Sequence, residues 1–361
     1  MTAACILGCA GQLVTAEERA FFRDVKPWGF ILFARNIVDA DQVRRLNDSL
    51  REAADDANAL IFIDQEGGRV QRLKPPLARL RRPAALFGQL YGRDPEQAVE
   101  AVTLNHRLLA HELLSLGIDA DCAPCMDLLH PKGHGVVGDR AFGADVAQVA
   151  ALGRAAVDGL LAGGVVPVIK HIPGHGRAEL DSHHAMPVVS TSLAELEETD
   201  FQPFRALADA AMAMTAHVTY RAVDPQDCVT LSHRAISTVI RGHIGFDGLL
   251  MSDDLSMRAL GGSLAERTRR TMQAGCDVAL HGNGALVGEP VRDLMAELRA
   301  VADHCGDLAG RAAERAADAR APARRSKPFD PNAAEARLDE LGLAGHEAAA
   351  SQDIFARAGL A

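Results

Sequence analysis

Residues 165–187 read Val-Val-Pro-Val-Ile-Lys-His-Ile-Pro-Gly-His-Gly-Arg-Ala-Glu-Leu-Asp-Ser-His-His-Ala-Met-Pro. The apolar run Val165-Val166-Pro167-Val168-Ile169 delivers Lys170-His171, and a Gly- and His-rich loop follows that carries an acid–histidine unit, Asp181 and His183. A short strand ending in polar groups, then a glycine-hinged loop, is how a barrel enzyme presents its reactive side chains.

Seven more apolar, β-branched-rich runs occur, at 4–9, 30–34, 60–64, 118–123, 212–217, 249–253 and 277–281. Helical signals lie between them. Thr15-Ala16-Glu17-Glu18 has the form of a capping box ahead of 19–24, and 42–53, 95–116, 146–162, 193–210 and 264–274 carry helical spacing. Apolar strands alternating with helices predict an α/β fold, a single (β/α)8 TIM-type barrel, with a doubly wound sheet as the alternative. The strand ends favour the barrel. Asp64, Lys170-His171, His217 and Asp253 would be far apart in an open sheet, whereas a barrel gathers them around one mouth.

The tail differs in composition. Residues 310–325 are rich in Ala, Arg, Glu and Asp and read as helical; Lys327-Pro328-Phe329-Asp330-Pro331 breaks the pattern, and 333–341 reads as a further short helix. The expected organisation is a catalytic barrel over 1–325 and a C-terminal tail over 326–361, partly helical or mobile.

Composition bounds the partners. The chain has 361 residues, 48% of them apolar, enough for a large core, and a formal charge of −10. That charge gives no sequence-neutral grip on nucleic acid or anionic lipid, and one Trp with two Tyr offers no stacking platform for single strands. No run approaches the roughly 20 apolar residues of a membrane span, and residues 1–13 lack the basic start of a signal peptide. The seven cysteines are scattered and read as reduced thiols, which makes a cytoplasmic location the expectation. Cys122-Ala-Pro-Cys125 matches a redox spacing, but its flanks look like a strand end rather than an activating helix N-terminus.

Two adjacent acids, Asp253 and Asp254, follow the run at 249–253. Neighbouring strand residues point to opposite faces, so at most one faces straight into the mouth. A carboxylate there can attack a sugar C1 or hold a metal, while Asp254 suits a helix N-cap. Asp181 beside His183 is a unit for general acid/base work, since the carboxylate fixes the imidazole tautomer and raises its basicity. Lys170 faces ligand or carboxylate, because a lysine is rarely buried unpaired. Asp64-Gln65-Glu66-Gly67-Gly68-Arg69-Val70-Gln71-Arg72 and Gly138-Asp139-Arg140-Ala141-Phe142 add groups suited to hydroxyls.

Taken together these stretches resemble the family 3 glycoside hydrolases, and among them the short bacterial β-N-acetylglucosaminidases of peptidoglycan recycling. The resemblance runs from 29–36 through 63–70, Ala123-Pro124 with Asp127, 138–142, Lys170-His171 with Pro173-Gly174-His175-Gly176, Asp181-Ser182-His183, 214–218 and 252–257 to 274–277. It implies Asp253 as the nucleophile, His183 as general acid/base and Asp181 as its partner. Asp64, Arg72, Arg140, Lys170 and His171 are implied to hold the N-acetylglucosamine. A retaining scheme ordinarily uses two carboxylates; here a histidine replaces one, and an imidazole titrating near neutral pH suits protonation of a leaving oxygen. The implied substrate is a muropeptide or other N-acetylglucosaminide, with no metal or other cofactor and a monomeric enzyme. Ile172 stands where that family usually has Phe, Arg177 where a small or acidic residue is usual, and Cys122 and Cys125 where apolar residues are usual.

Three rival readings remain. A metal-dependent hydrolase would use His171, His175, His183 and His217. A β-glucosidase of the same broad family would take its acid/base from a further domain. A saccharide-binding protein would keep the pocket without turnover.

Overall fold

Each of the eight apolar runs overlaps a strand: β1 (Ala3–Leu7), β2 (Pro27–Leu32), β3 (Leu60–Ile63), β4 (Ala120–Asp121), β5 (Val166–Ile172), β6 (Met212–Thr215), β7 (Leu249–Met251) and β8 (Ala279–His281). The computed structural model describes residues 1–180, 186–257, 259–282 and 293–345, so Asp181 and His183 lie outside the described residues. The strands form one sheet in the order β7-β6-β5-β4-β3-β2-β1-β8, and every neighbouring pair is parallel. A parallel bridge between Met251 and Val278 joins the two ends, and the sheet closes as a (β/α)8 barrel.

Period-two alternation divides the side chains into two cores. Ile6, Trp28, Leu60, Phe62, Val166, Val168, Met212, Met214, Leu249 and Met251 pack together inside the ring. Their neighbours point outward: Leu7, Ile61 and Ile63 into one apolar layer under the helices, Ile169, Ala213 and Leu250 into another. Burial on both faces is why these strands read as unbroken apolar runs.

The helices start where side chains can satisfy their first N–H groups. Thr15 and Glu18 form the predicted capping box at Ala16–Val25, with Thr15 Oγ1 accepting from the Glu18 N–H at 3.1 Å and Glu18 Oε2 from the Thr15 N–H at 2.9 Å. Asp39, Asp94 and Asp145 cap Ala40–Ala53, Pro95–Ser115 and Val146–Ala162, each carboxylate accepting a backbone N–H from the first turn. Alanine at any one would cost about 1 kcal/mol.

Two helical expectations need correction. The segment 193–210 is two short helices, Leu193–Glu198 and Gln202–Ala206. Pro203 occupies the first turn of the second, where its missing N–H costs nothing, and so marks a start rather than an interior. Ala84–Tyr91 is a helix the spacing did not disclose, because Gly88 interrupts its pattern. A Cβ at Gly88 would lie 1.8 Å from the Phe142 carbonyl oxygen, so close packing requires the glycine. Beyond the barrel, Pro331–Leu338 lies against Pro95–Ser115, and Leu338, Leu341 and Leu343 are buried. Residues 346–361 of the tail lie outside the described residues.

Candidate active site

The inward phase, followed to the C-terminal ends of the strands, places the site. Leu60 and Phe62 are followed in phase by Asp64, Val166 and Val168 by Lys170, and Leu249 and Met251 by Asp253. Alternation thus puts polar groups at the mouth by continuing the apolar pattern.

Lys170 is the hub. Its ammonium, buried with the side chain, donates to Asp64 Oδ1 at 2.9 Å and lies 2.7 Å from Glu66 Oε1. Arg72 Nη2 donates to Asp64 Oδ2 at 3.0 Å. Arg140 grips Glu66 with two parallel bonds of 2.8 Å, from Nε to Oε2 and from Nη2 to Oε1. Burial by itself would raise the Asp64 and Glu66 pKa values, but Lys170 with Arg72 and Arg140 outweighs it: Asp64 falls well below the carboxylate range and Glu66 to about 2. Burial opposes charge on Lys170 too, and the two carboxylates reverse that, raising its pKa. Asp64, Glu66 and Lys170 are ionised at neutral pH, a fixed array of donors and acceptors at the mouth.

A second chain of contacts runs through His171. Its Nδ1 lies 2.6 Å from Asp127 Oδ2, and its Nε2 lies 3.5 Å from Arg140 Nη2. With Nδ1–H donating to the carboxylate, Nε2 faces the guanidinium as an acceptor. Asp127 Oδ1 accepts the backbone N–H groups of His171 at 3.2 Å and His175 at 2.7 Å, so one buried carboxylate fixes both the ring and the start of the following loop. Tyr220 pins the residue before His175 by donating to the Gly174 carbonyl at 2.5 Å.

Asp253 is half-buried at the end of β7, near enough to His175, His217 and Cys122 to act on each electrostatically. Asp254 faces elsewhere: Oδ1 accepts from the Ser256 N–H at 2.9 Å and Oδ2 from the Gly282 N–H at 3.3 Å. It closes a turn rather than capping a helix, since the next helix, Leu264–Ala274, starts at Ser263. His217, buried under this corner, uses Nδ1 on Thr230 Oγ1 at 2.8 Å and Nε2 on the Asp254 carbonyl at 3.1 Å. Both ring nitrogens are committed, which removes His217 from the metal set considered above.

Among the described residues, Cys125, Asp127 and His171 bring ligand-type atoms within 4.8 Å of one another. Hydrogen bonds hold them together, with Asp127 Oδ2 accepting from Cys125 Sγ at 3.2 Å as well as from His171. Burial pushes the Cys122 and Cys125 thiols up, the opposite of an activated redox pair.

Of the sequence-predicted residues, Asp64, Arg72, Arg140, Lys170, His171 and Asp253 all lie at this mouth or in contact with it, whereas Asp181 and His183 are outside the described residues. Glu66 and Asp127 were not picked out as site residues. Glu66 follows Asp64 by two residues, a spacing that would have flagged it; Asp127 meets His171 across 44 positions, beyond the reach of local pattern. Arg69 serves the scaffold, donating to the Gly135 and Val136 carbonyls at 2.6 Å and so holding the loop that carries Arg140.

A barrel whose mouth gathers ionised carboxylates, guanidinium groups and imidazoles suits a carbohydrate-processing enzyme. Residues 10–314 match the glycosyl hydrolase family 3 N-terminal domain, so the chain belongs to that family and is a glycoside hydrolase. It is 39% identical to the beta-hexosaminidase of Alkalilimnicola ehrlichii over 315 residues, 83% of this chain and 88% of that protein. With the beta-hexosaminidase of Pseudomonas aeruginosa it shares 40% over 283 residues, 78% of this chain and 82% of that protein. NagZ from Neisseria gonorrhoeae, solved in complex with N-trifluoroacetyl-D-glucosamine, superposes with a TM-score of 0.78 at 31% identity, covering 96% of each chain.

Proposed function

We propose that the chain is a retaining exo-β-N-acetylglucosaminidase that removes terminal N-acetylglucosamine from 1,6-anhydro-N-acetylmuramyl (peptide) cell-wall fragments during peptidoglycan recycling. The observation that carries the reading is the convergence of Asp64, Lys170 and Asp253 on one mouth, with Arg72, Arg140 and His171 joined to the same network. The beta-hexosaminidase relatives and the N-acyl glucosamine held by the gonococcal NagZ support the sugar.

In this reading Asp253 attacks C1, and a C1–carboxylate bond forms as the bond to the leaving oxygen breaks. His183 gives that oxygen its proton. The neutral imidazole then takes a proton from water as the water attacks C1 and frees Asp253, so two inversions restore the β configuration. Asp181 orients His183. Asp64 and Arg72 meet hydroxyls at one side of the sugar, Arg140 and His171 at the other, with Lys170 between. No metal or other cofactor has a part. Residues 1–325 form the catalytic barrel and 326–361 an appended tail; the enzyme acts as a monomer in the cytoplasm, a location supported by seven buried, unpaired cysteines. Among the described residues no helix is long and apolar enough to cross a membrane.

The test is hydrolysis of an aryl β-N-acetylglucosaminide and of an anhydromuropeptide by EDTA-treated protein, with the aryl β-glucoside alongside and the product anomer followed by proton NMR. Turnover of the acetamido sugars with the β anomer released first is expected. Turnover of the glucoside alone, α anomer first, or activity lost with EDTA and restored by metal would each overturn the assignment.

A further inference from the structure

Two consecutive arginines outside the site are almost completely buried, Arg81 at 2% and Arg82 at 1% exposure. A guanidinium is rarely sequestered without a purpose, because its desolvation must be offset by close partners. Those partners come largely from the C-terminal tail. Arg81 Nη1 donates to Glu335 Oε1 at 2.5 Å, Arg82 Nε donates to the Leu343 carbonyl at 2.7 Å, and Arg82 Nη2 lies 3.5 Å from Asp339 Oδ1. Arg81 is braced on its other side by Glu112.

The main chain of the same two residues holds the turn beneath the sugar pocket. The Arg81 carbonyl accepts the Gly68 N–H at 2.8 Å, and the Arg81 N–H donates to Gln71 Oε1 at 2.8 Å. Gln71 in turn donates to the Gly68 carbonyl at 2.7 Å. A Cβ at Gly67 would lie 2.4 Å from the Arg82 carbonyl oxygen, so the two segments touch backbone to backbone. Glu66, next in the chain, carries both Lys170 and Arg140. A small cavity lined by Arg82, Gly67, Glu66 and Arg140 shows that the two networks share one wall.

We infer that the tail segment 331–345 is a positioning element of the active site: by neutralising Arg81 and Arg82 it fixes the Gly67-Gly68 turn, and through it the Glu66 carboxylate that sets Lys170 and Arg140 against the sugar. Glu335 is the positioning residue of the device. This rests on the sugar-binding role proposed for Lys170 and Arg140. It gives the tail, which lies beyond the residues matching the family domain, a part in the reaction.

The same helix supplies its own control. Arg337 also anchors it, pairing with Glu100 at 2.8 and 3.0 Å, but on a face that touches neither buried arginine. Glu335→Ala and Arg337→Ala in the full chain should both lower the melting temperature by a few degrees. Only Glu335→Ala should also raise KM for an aryl β-N-acetylglucosaminide and weaken binding of free N-acetylglucosamine, with a fall in kcat/KM of about tenfold. Glu335→Gln, which keeps an acceptor for Arg81, should recover part of the loss. Unchanged kcat/KM and sugar affinity in Glu335→Ala, or equal losses in the two alanine variants, would overturn the inference. A wild-type protein that binds the sugar without hydrolysing it would remove the hydrolytic reading alone, and the affinities of the same variants would then decide this one. A wild-type protein that does neither would remove both.

Discussion

Asp127 and His171, 44 positions apart in the chain, are joined by a 2.6 Å hydrogen bond between a carboxylate with no solvent exposure and an imidazole that faces the pocket. The carboxylate does two further things, receiving the backbone N–H groups of His171 and His175. Burial raises its pKa, but the His171 ring more than offsets that and holds it well below the usual carboxylate range. It stays charged throughout the working range.

Asp127→Asn keeps the shape and removes the charge. The amide can present its N–H to His171, which favours the wrong tautomer, so kcat/KM should fall by at least about tenfold. Nitrogen-15 NMR of the His171 ring would show the proton moving from Nδ1 to Nε2. An unchanged tautomer with full activity would leave Asp127 a loop anchor only.

Asp253→Ala should lower kcat by about 10⁴-fold or more if its carboxylate forms the covalent intermediate. Added azide should then restore turnover by entering the vacated face and give the α-glycosyl azide. A variant that azide does not rescue, or that yields a β-azide, contradicts a nucleophilic role.

The position of Asp253 was legible because a strand alternates. Leu249 and Met251 face inward, so the phase chooses Asp253 over Asp254. The same alternation makes Asp64 and Lys170 readable. The Asp127–His171 pair was not, since it depends on how β4 and β5 lie side by side. The break between Leu193–Glu198 and Gln202–Ala206 was hidden for a related reason. Asp200 there accepts from Arg177 Nε at 2.6 Å, a tertiary contact that local spacing does not show. The burial of Arg81 and Arg82 has no local sequence signal, because their tail partners lie some 250 to 260 positions downstream.

The buried thiols should divide by environment. Burial, with neighbouring carboxylates, raises the Cys122 and Cys125 pKa values, while the hydrogen bond from Cys5 lowers that of Cys305. Native protein treated briefly with iodoacetamide and mapped by mass spectrometry should carry label on Cys305 before Cys122 or Cys125. Early labelling of Cys122 or Cys125 would reinstate the redox reading of that spacing.

Asp121 makes the last prediction, about pH. It is fully buried beneath the mouth; its Oδ1 accepts the Gln65 N–H at 2.9 Å, and burial pushes its pKa to about 7. Lys170 lowers it, while Asp64 and Glu66, ionised nearby, add to the rise. The folded state therefore binds a proton that the unfolded chain, titrating near the usual value of about 3.9, has released. The contribution is fully present below pH 4 and is lost as the pH rises through 7. Asp64 and Glu66 run the other way, losing their stabilising charge as the pH falls through their depressed values. A wild-type melting curve would mix the two trends, so the comparison has to be with Asp121→Asn, which cannot ionise. The variant should melt close to the wild type at pH 4 and above it at pH 8, with the gap opening between about pH 4 and 7 and level beyond. A constant gap across that range would mean that Asp121 titrates alike in the folded and unfolded chain.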